Sequence, residues 1–191
     1  MLSAIIDTYE SERTLVPTLT ALVPAAASGL LAEVVVADAG SHDATAEVAD
    51  IAGCGFLSST EPTGIRLKAA AASTRGRWLM FLRAGMAPQP GWIEAVERFI
   101  AASDQSDNQR AAVFRPAGFG DLMRPGLSEI TALLRVTLGG RPRPDQGLLI
   151  ARSLYDKLGG HSGDAQAETN LLRRIGRRRT VMLPVAAGIR R

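Results

Sequence analysis

The sequence predicts an α/β protein with an open, mostly parallel sheet and helices on both faces. Short apolar runs alternate with segments of helical periodicity before Ser103, as in consecutive strand–helix units. The run Trp78–Leu82 is apolar without interruption, which is typical of a strand covered on both sides. The run Val34–Ala37 stops at Asp38 and turns through Gly40 towards capping residues, as a strand leading into a helix does.

Length and composition are sufficient for one sizeable domain, which we expect to cover residues 1–191. The chain has 191 residues, 46% of them hydrophobic. A single cysteine, Cys54, excludes an internal disulfide and favours a reducing compartment. No uncharged run approaches the ~20 residues of a membrane span, and no basic region precedes an apolar N-terminal stretch. We therefore expect a cytoplasmic protein.

The first half is predicted to consist of strand–helix units in succession. Leucine and alanine recur at helical spacing between the apolar runs, and Pro17 and Pro90 are acceptable in a first helical turn. The predicted strands are Leu2–Ile6, Val34–Ala37, Gly55–Leu57 and Trp78–Leu82, and the intervening helices carry Leu15 to Val23, Val48 and Ile51, Ile65 to Ser73, and Ile93 to Ile100.

The short second helix raises two specific expectations. Ser41 or Asp43 is expected to cap it, Val48 and Ile51 are expected to share its apolar face, and glycine at position 53 ends it. The apolar run that follows, Gly53–Leu57, has the composition of a buried strand.

The second half is less regular. Polar residues mark a loop or linker at Ser103–Arg110, and glycine and proline mark loops at Gly139–Pro144 and Gly159–Gly163. The predicted strands are Ala111–Phe114, Leu148–Ile150 and Val181–Val185, and the predicted helices are Leu127–Leu138, Ser153–Leu158 and Ala167–Ile175.

Basic residues are concentrated near the C-terminus, although the formal net charge is only +3. Arginines at a helix C-terminus complement the helix dipole, which is one interpretation of the cluster. Attraction to anionic lipid head groups is another, and it would place the protein at the inner face of a membrane. Nucleic acid is disfavoured as a partner, because aromatic residues are 5% of the chain and none lies among these arginines. The cluster consists of Arg173, Arg174, Arg177, Arg178, Arg179, Arg190 and Arg191.

Several sequence blocks follow one another along almost the whole chain: Ile5–Glu10, then Asp38, Gly40, Ser41, Asp43 and Thr45, then Gly64–Gly76, Trp78–Leu82, and Asp145 and Gln146 with Gly159 and Gly160. Together and in this order they resemble the family 2 glycosyltransferases of the GT-A fold. The likeness is greatest to the short bacterial enzymes of the arsenosugar-biosynthesis type. The resemblance implies a mixed, mostly parallel sheet and a nucleotide-sugar donor.

The resemblance implies that the base and ribose of the donor lie against the first two strands, near Thr8, Glu10 and Asp38. A carboxylate such as Asp38 can accept hydrogen bonds from ribose hydroxyls, and Gly40 permits close approach of the backbone. The alternative role of Asp38 is to cap a turn. For Asp43 and Thr45, capping explains both residues without a ligand.

After Trp78–Leu82 the family has an Asp-x-Asp-like motif that holds a divalent metal, Mn²⁺ or Mg²⁺, against the donor diphosphate. This chain has Arg83, Ala84 and Gly85 there, so the carboxylate ligands that such a cation needs are missing. Arg83 can supply positive charge to the diphosphate directly, because a guanidinium binds phosphate oxygens with paired hydrogen bonds. The alternative is a solvated arginine at the end of a strand.

The Gly64–Gly76 block also departs from the family. Ala70 and Ala72 stand where the family usually has Asn and Gly, and Arg77 stands where it has Asp. Arg66 and Lys68 remain as candidate partners of the diphosphate, with simple solvation as the alternative.

The catalytic base implied by the family is a carboxylate of a Glu-Asp pair at the start of a late helix. The matching pair here is Ala167 and Glu168, which makes Glu168 the candidate. A carboxylate within ~3 Å of the acceptor oxygen can take its proton. The alternative role is favourable placement of an acid in a first helical turn, and Asp164 is a second nearby carboxylate.

On the acceptor side, the resemblance points to Asp145 and Gln146, whose polar groups suit sugar hydroxyls. His161 lies in the Gly159–Gly163 loop and is a candidate to cover the acceptor, with an exposed, idle side chain as the alternative. His42 is expected to be idle. No histidine and carboxylate cluster has the spacing of metal ligands.

We thus expect a transferase that attacks the donor sugar with an acceptor hydroxyl, with inversion. The acceptor is unknown, and a lipid-linked one is among the candidates. The alternative function is a binding or regulatory module that has kept the fold and lost turnover. Because the chain is short for this fold, acceptor recognition can require a partner chain or a homodimer.

Overall fold

The structure is a computed structural model that describes residues 1–105, 110–116 and 143–189. The predicted helix Leu127–Leu138, residues 139–142 of the predicted loop, and Arg190 and Arg191 lie outside the described residues.

The described residues form eight strands and six helices, which alternate regularly in the first half of the chain. The strands are β1 (Leu2–Thr8), β2 (Leu31–Asp38), β3 (Gly55–Ser58), β4 (Trp78–Arg83), β5 (Met86–Pro88), β6 (Ala111–Pro116), β7 (Leu148–Ala151) and β8 (Thr180–Ile189). The helices are α1 (Glu12–Ala27), α2 (Thr45–Ile51), α3 (Thr63–Ser73), α4 (Trp92–Asp104), α5 (Arg152–Lys157) and α6 (Ala167–Ile175).

All eight strands form one sheet in the order β3-β2-β1-β4-β7-β6-β8-β5. The first four in this order are parallel, as is the pair β6 and β8, whereas β7 is antiparallel to both of its neighbours and β5 is antiparallel to β8. The prediction of an α/β fold with a mixed, mostly parallel sheet is confirmed.

The core lies along the central strands. Every residue of Trp78–Leu82 is buried, as the uninterrupted apolar run predicted, so both faces of the sheet are covered at β4. Trp78 packs edge to face on Phe99 of α4, with ring centroids 5.6 Å apart. Burial of each large apolar side chain contributes about 1.5–3 kcal/mol to the stability of the fold, so β4 is a rigid support for the residues that follow it.

Two expectations for the region between β2 and β3 are wrong. Ile51 is 80% exposed, and α2 buries Thr45 and Ala49 instead. The run Gly53–Leu57 is not a buried strand, since β3 is the edge strand and Leu57 is 39% exposed. A short apolar run has the same composition at the edge of a sheet as in its centre, so periodicity alone could not distinguish the two.

The structure contains one strand that the sequence analysis did not predict, β5. β5 follows β4 after a turn and pairs with β8, which extends beyond the predicted Val181–Val185. β5 is a three-residue edge strand that ends in proline, and such a segment has too little pattern to be recognised.

The order of the strands reverses between β1 and β4, and we call the region outside the carboxyl ends of these strands the crevice. The chain runs from β1 outwards to β2 and β3, and then returns to place β4 on the other side of β1. Open α/β sheets bind ligands outside the carboxyl ends of their strands at such a reversal. In the register of the strands, Thr8 lies opposite Asp38 and Asp7 lies opposite Arg83.

In the part of the chain that the structure describes, no helix combines the length and apolarity needed to cross a membrane.

Candidate functional site

Asp38 ends β2 with its carboxylate almost fully enclosed, at 1% exposure. Its Oδ1 accepts hydrogen bonds from the hydroxyls of Thr8 (2.9 Å) and Ser41 (2.5 Å). Its Oδ2 accepts bonds from the backbone N–H groups of Gly40 (2.9 Å) and Ser41 (2.8 Å) and from the hydroxyl of Ser58 (3.2 Å). Burial alone would raise the pKa of Asp38, but these hydrogen bonds lower it below its ordinary value, so the carboxylate is charged.

Glu10 connects the loop after β1 to the loop after β2. It has a positive φ of 47°, which is uncommon for a residue other than glycine. Its backbone N–H donates to the Ser41 hydroxyl at 2.8 Å, and its Oε1 accepts a bond from the His42 N–H at 2.8 Å. Glu10 and His42 therefore lie next to each other on the surface, where both are exposed. Asp38 is buried beneath them.

Asp43 and Thr45 bond to the loops at the starts of α1 and α2, but the predicted cap of α2 by Ser41 or Asp43 is wrong, because its N-cap is Ala44 and no side chain caps it. The Asp43 carboxylate accepts bonds from the N–H groups of Thr45 and Glu12, near the starts of α2 and α1. Thr45 accepts a bond from the N–H of Ser11. These contacts fix the loops around the crevice without any ligand.

Arg83 and Glu168 form an ion pair across the crevice, with Arg83 Nη2 donating to Glu168 Oε2. Arg83 ends β4 and its side chain is 48% exposed, whereas Glu168 lies in the first turn of α6 and its side chain is 22% exposed. Burial raises the pKa of Glu168, and the negative charges of Asp7 and Asp145 act in the same direction, while Arg83 opposes them. The two residues that the sequence assigned to the diphosphate and to the base are thus in direct contact.

Asp7 is a site residue that the sequence analysis missed. Its Oδ1 accepts a hydrogen bond of 2.7 Å from Arg66 Nη2, and Arg66 is 9% exposed. Burial raises the pKa of Asp7, although Arg66 and Arg83 both lower it. A carboxylate that ends an apolar run was the signal used for Asp38, and the same signal is present after Leu2–Ile6.

The remaining polar atoms of Arg66 are directed inwards. Its Nη1 donates to the carbonyl of Glu61 at 2.7 Å, and its Nε is buried with no hydrogen-bond partner among the described residues. Arg66, Asp7, Arg83 and Glu168 therefore form a row of alternating charge along the crevice, joined at its two ends by the pairs Arg66–Asp7 and Arg83–Glu168. Lys68, the other basic candidate of α3, is exposed.

Asp145 and Gln146 lie in a short 3-10 turn, Pro144–Gln146, directly before β7. Asp145 is exposed, and its charge acts on Glu168. Gln146 is buried, its Nε2 donates to the carbonyl of Phe114 at 2.9 Å, and its Oε1 accepts a bond from the N–H of Arg143 at 2.6 Å. Asp145 therefore faces the site, while Gln146 holds the turn that presents it.

His161 is buried, at 3% exposure, so the expectation that an idle side chain would be exposed in the loop does not describe it. Its Nδ1 shares a hydrogen bond of 2.9 Å with the Tyr155 hydroxyl, and its ring packs edge to face on Phe81, with centroids 4.7 Å apart. Burial, together with the charge of Arg174, lowers its pKa to about 4, so the ring is neutral at neutral pH. His161, Phe81 and Glu168 also line a small cavity beside the ion pair.

Gly64 brings α3 close to the segment that precedes α6. A Cβ atom on Gly64 would lie 1.8 Å from the Ser162 carbonyl oxygen and 2.5 Å from the Cβ of Ala167. Only glycine permits this approach, and the residue after Ala167 is Glu168. The glycine therefore determines where the first turn of α6, and with it the candidate base, is located.

The residues at the predicted metal position do not fit a divalent cation. Among the described residues, no group of three or more His, Cys, Asp or Glu side chains is arranged to hold one. Of the two carboxylates nearest to Arg83 in the register, Asp7 is paired with Arg66, and Asp38 has five hydrogen-bond donors around it. Hard cations need free oxygen ligands, and this crevice presents a guanidinium instead.

Comparison with known proteins gave one family and many similar structures. Residues 3–158 match the model of the family described as glycosyl transferase family 2. The structure is similar to glucosyl-3-phosphoglycerate synthase from Mycobacterium tuberculosis in its complex with Mn²⁺, UDP and glucosyl-3-phosphoglycerate, with a TM-score of 0.72 and 21% identity over 100% of this chain and 72% of that chain. The complex of the same enzyme with Mg²⁺ and UDP gives a TM-score of 0.70 and 21% identity, over 100% of this chain and 70% of that chain. None of the curated proteins searched gave a significant match.

Proposed function

Because the chain belongs to glycosyl transferase family 2, we propose that it transfers a sugar from a nucleotide-sugar donor to an acceptor hydroxyl, with Arg83 at the donor diphosphate and Glu168 as the base. The observation that carries the proposal is the contact between these two side chains at the reversal of the strand order. A cation for the leaving group and a carboxylate for the acceptor are the two groups that such a reaction needs.

The base and ribose of the donor bind at the loops after β1 and β2. Gly40, with a positive φ of 85° and its nearest neighbour at 3.4 Å from a hypothetical Cβ, offers backbone for close approach. Glu10 is exposed beside it and can accept a bond from a hydroxyl or an imide. Thr8 and Asp38, whose side chains bond to each other, hold these two loops together and place a negative charge behind them.

Arg83 binds the diphosphate in place of a metal. Its guanidinium is half exposed and carries paired N–H donors that match phosphate oxygens. Arg66 adds positive charge to the same site, because it is held by Asp7 on β1, the strand next to β4. No step of the reaction is assigned to a metal ion, since the residues at this position do not suit one.

The transfer step is a single displacement with inversion. The acceptor oxygen forms a bond to the anomeric carbon as the bond from that carbon to the diphosphate oxygen breaks. The electron pair of the broken bond leaves with the diphosphate, where Arg83 stabilises it, and the proton of the acceptor hydroxyl passes to the Glu168 carboxylate. The raised pKa of Glu168 favours this transfer, because a base is most effective when its pKa is near the working pH.

The acceptor approaches from the side of the 3-10 turn and the small cavity. Asp145 is exposed there and can bind hydroxyls, and Gln146 holds the turn in place. His161 and Phe81 form the apolar wall next to Glu168, so His161 shapes the acceptor site as a neutral ring.

We further propose that the acceptor is carried by an anionic lipid and that the protein attaches to the cytoplasmic face of a membrane. Arg173, Arg177, Arg178 and Arg179 are all exposed at the end of α6 and in the turn that follows. Each arginine near an anionic surface contributes about 1 kcal/mol to attachment. Co-sedimentation with phosphatidylglycerol vesicles, and not with phosphatidylcholine vesicles, is the expected result. The double variant Arg178→Gln with Arg179→Gln should weaken it, whereas Arg13→Gln with Arg75→Gln should not.

Calorimetry tests the donor site. UDP, GDP, ADP and CDP are titrated into the protein in EDTA and again in Mn²⁺, and we expect at least one to bind equally well in both. Arg83→Gln should weaken that binding at least about tenfold, since a charge-assisted bond contributes about 1.5–3 kcal/mol. Arg77→Gln is the matched control, because Arg77 is exposed at the opposite end of β4.

Two outcomes would count against the proposal. Binding of no nucleotide under either condition would indicate the alternative, a module that has kept the fold and lost turnover. Binding in Mn²⁺ that disappears in EDTA would show that a cation, rather than Arg83, holds the diphosphate.

A further inference from the structure

We infer that Glu168 and the donor diphosphate compete for Arg83, so that Glu168 becomes free to act as a base only once the donor has bound. This inference rests on the proposed function and adds to it an order of events. In the ligand-free chain the two groups needed for transfer neutralise each other. We call the Arg83–Glu168 ion pair the latch, because it restrains the base until the donor binds.

The first argument is the geometry of the pair. Arg83 Nη2 donates to Glu168 Oε2, so the guanidinium and the carboxylate are in direct contact. The bond occupies one oxygen of the carboxylate, and the positive charge of Arg83 lowers the pKa of Glu168. Glu168 is therefore a weaker base while it is paired with Arg83 than after Arg83 has moved away.

The second argument is the difference in exposure. The Arg83 side chain is 48% exposed and the Glu168 side chain is 22% exposed. An anion from solvent can reach the guanidinium without moving α6, while Glu168 remains behind it, facing the cavity with Phe81 and His161. Replacement of one anion by another at Arg83 requires only a side-chain movement.

The third argument is the charge around Glu168. Asp7 on β1 and Asp145 in the turn before β7 are the acids that act on it, and Arg83 is the cation that opposes them. A diphosphate carries more negative charge than a carboxylate and can engage both terminal nitrogens of a guanidinium. Once Arg83 turns to the diphosphate, Glu168 is left beside two acids in a partly buried place, and its affinity for a proton rises.

The order of binding follows from this competition. An acceptor that arrives first meets a carboxylate already neutralised by Arg83 and is not deprotonated. A donor that arrives first frees the carboxylate next to the place where the acceptor binds. The latch thereby prevents the base from acting before the sugar is in place.

Nucleotide affinity gives a test that does not depend on turnover. UDP, GDP, ADP and CDP are titrated into the wild type, Glu168→Gln and Glu97→Gln, all in EDTA, after circular dichroism has confirmed that each variant is folded. Removal of the competing carboxylate should tighten binding of the nucleotide by about three- to tenfold in Glu168→Gln, as expected for a partly exposed ion pair. Glu97 is exposed on α4, so Glu97→Gln removes the same charge elsewhere and should bind as the wild type does.

Proton uptake gives a second, independent readout. The same titrations in buffers with different ionisation enthalpies report the protons taken up when the nucleotide binds. The wild type should take up more protons than Glu168→Gln between pH 5 and pH 7, because only the wild type has a carboxylate that loses its cation. The protons of the nucleotide itself contribute equally to both proteins and cancel in the comparison.

The outcomes separate this inference from the proposed function. If no nucleotide binds the wild type, the donor site itself is wrong. If a nucleotide binds the wild type and Glu168→Gln equally well, with equal proton uptake, the donor site stands and the latch is overturned. Equal tightening by Glu97→Gln would also overturn it, since the effect would then be one of net charge.

Discussion

Thr8 and Asp38 lie opposite each other in the register of two adjacent parallel strands, and the Thr8 hydroxyl donates a hydrogen bond of 2.9 Å to the Asp38 carboxylate. The bond joins the carboxyl ends of β1 and β2 at the edge where the candidate donor site lies. Two backbone N–H groups and two further hydroxyls point at the same carboxylate. Asp38 therefore organises the loop that a donor would contact.

Asp38→Asn should destabilise the protein by about 2 kcal/mol, because one carboxylate oxygen becomes an amide nitrogen that faces buried donors. The carboxamide also accepts fewer hydrogen bonds than the carboxylate. Urea unfolding followed by circular dichroism measures the change. Asp50→Asn is the control, since Asp50 is exposed on α2 and its replacement should change stability by less than about 0.5 kcal/mol. Equal stability of the two variants would show that the bonds around Asp38 contribute little.

Gly64→Ala should destabilise the protein by about 1–3 kcal/mol and reduce transfer more than its stability alone predicts. The new Cβ would lie 1.8 Å from the Ser162 carbonyl oxygen, so the segment that leads into α6 must shift, and Glu168 must shift with it. Urea unfolding and the rate of sugar transfer from the donor identified by calorimetry are measured on the same preparation.

The neighbouring Gly163 provides the matched control. A Cβ on Gly163 would be 3.4 Å from the Ile65 side chain, which is ordinary contact. Gly163→Ala should therefore remain within about 0.5 kcal/mol of the wild type. If Gly64→Ala were as stable and as active as Gly163→Ala, the close packing of α3 on α6 would not determine the place of Glu168.

His161 should make the protein lose stability as the pH falls from 6.5 to 4. Its pKa is about 4 in the folded protein, against an ordinary value of 6.5, because it is buried. Between these values the unfolded chain binds a proton that the folded chain does not. The unfolded state is therefore stabilised relative to the folded state as the pH falls. The whole shift corresponds to about 3 kcal/mol, fully present above pH 6.5 and lost by about pH 4.

His161→Gln removes this titration. Free energies of unfolding from urea curves at several pH values should decline less steeply in this variant than in the wild type, even if its stability at pH 7 is lower. His42→Gln is the control, since His42 is exposed, and it should keep the steeper decline of the wild type. Parallel curves for wild type and His161→Gln would show that His161 titrates normally in the fold.

The sequence-based predictions were most accurate for helices and strands whose own residues contain a complete hydrophobic pattern. The helix Ala167–Ile175 has its predicted ends, because Leu171, Leu172 and Ile175 share one buried face and Gly176 ends it. β4 was equally clear from its uninterrupted apolar run. The face of α2 was predicted wrongly because a helix of seven residues offers only about two turns of pattern, and Ile51 lies outside its buried side.

The sequence identified most residues of the candidate site, but it did not predict the contacts between them. The sequence singled out Arg83 and Glu168 for separate reasons, yet they are 85 positions apart, and no periodicity reports that such side chains touch. Burial of His161 likewise depends on Phe81 and Tyr155, which come from other elements. Asp7 was overlooked because, within the block Ile5–Glu10, only Thr8 and Glu10 were assigned to the donor.

The Arg83–Glu168 pair should contribute little to the free energy of unfolding. A small contribution is expected if the pair has a functional role, and a large one if its role is structural. Its Arg83 side is half exposed, and solvent screens such a pair, so the coupling free energy is expected to be about 1 kcal/mol or less. A double-mutant cycle with Arg83→Gln, Glu168→Gln and the combined variant, read by urea unfolding, measures it. The pair Arg66–Asp7 is the internal comparison, because its side chains are only 8% and 20% exposed, and its coupling should be larger. A coupling above about 3 kcal/mol for Arg83–Glu168 would mean that the contact is a structural clamp, which a diphosphate could not displace at ordinary affinity.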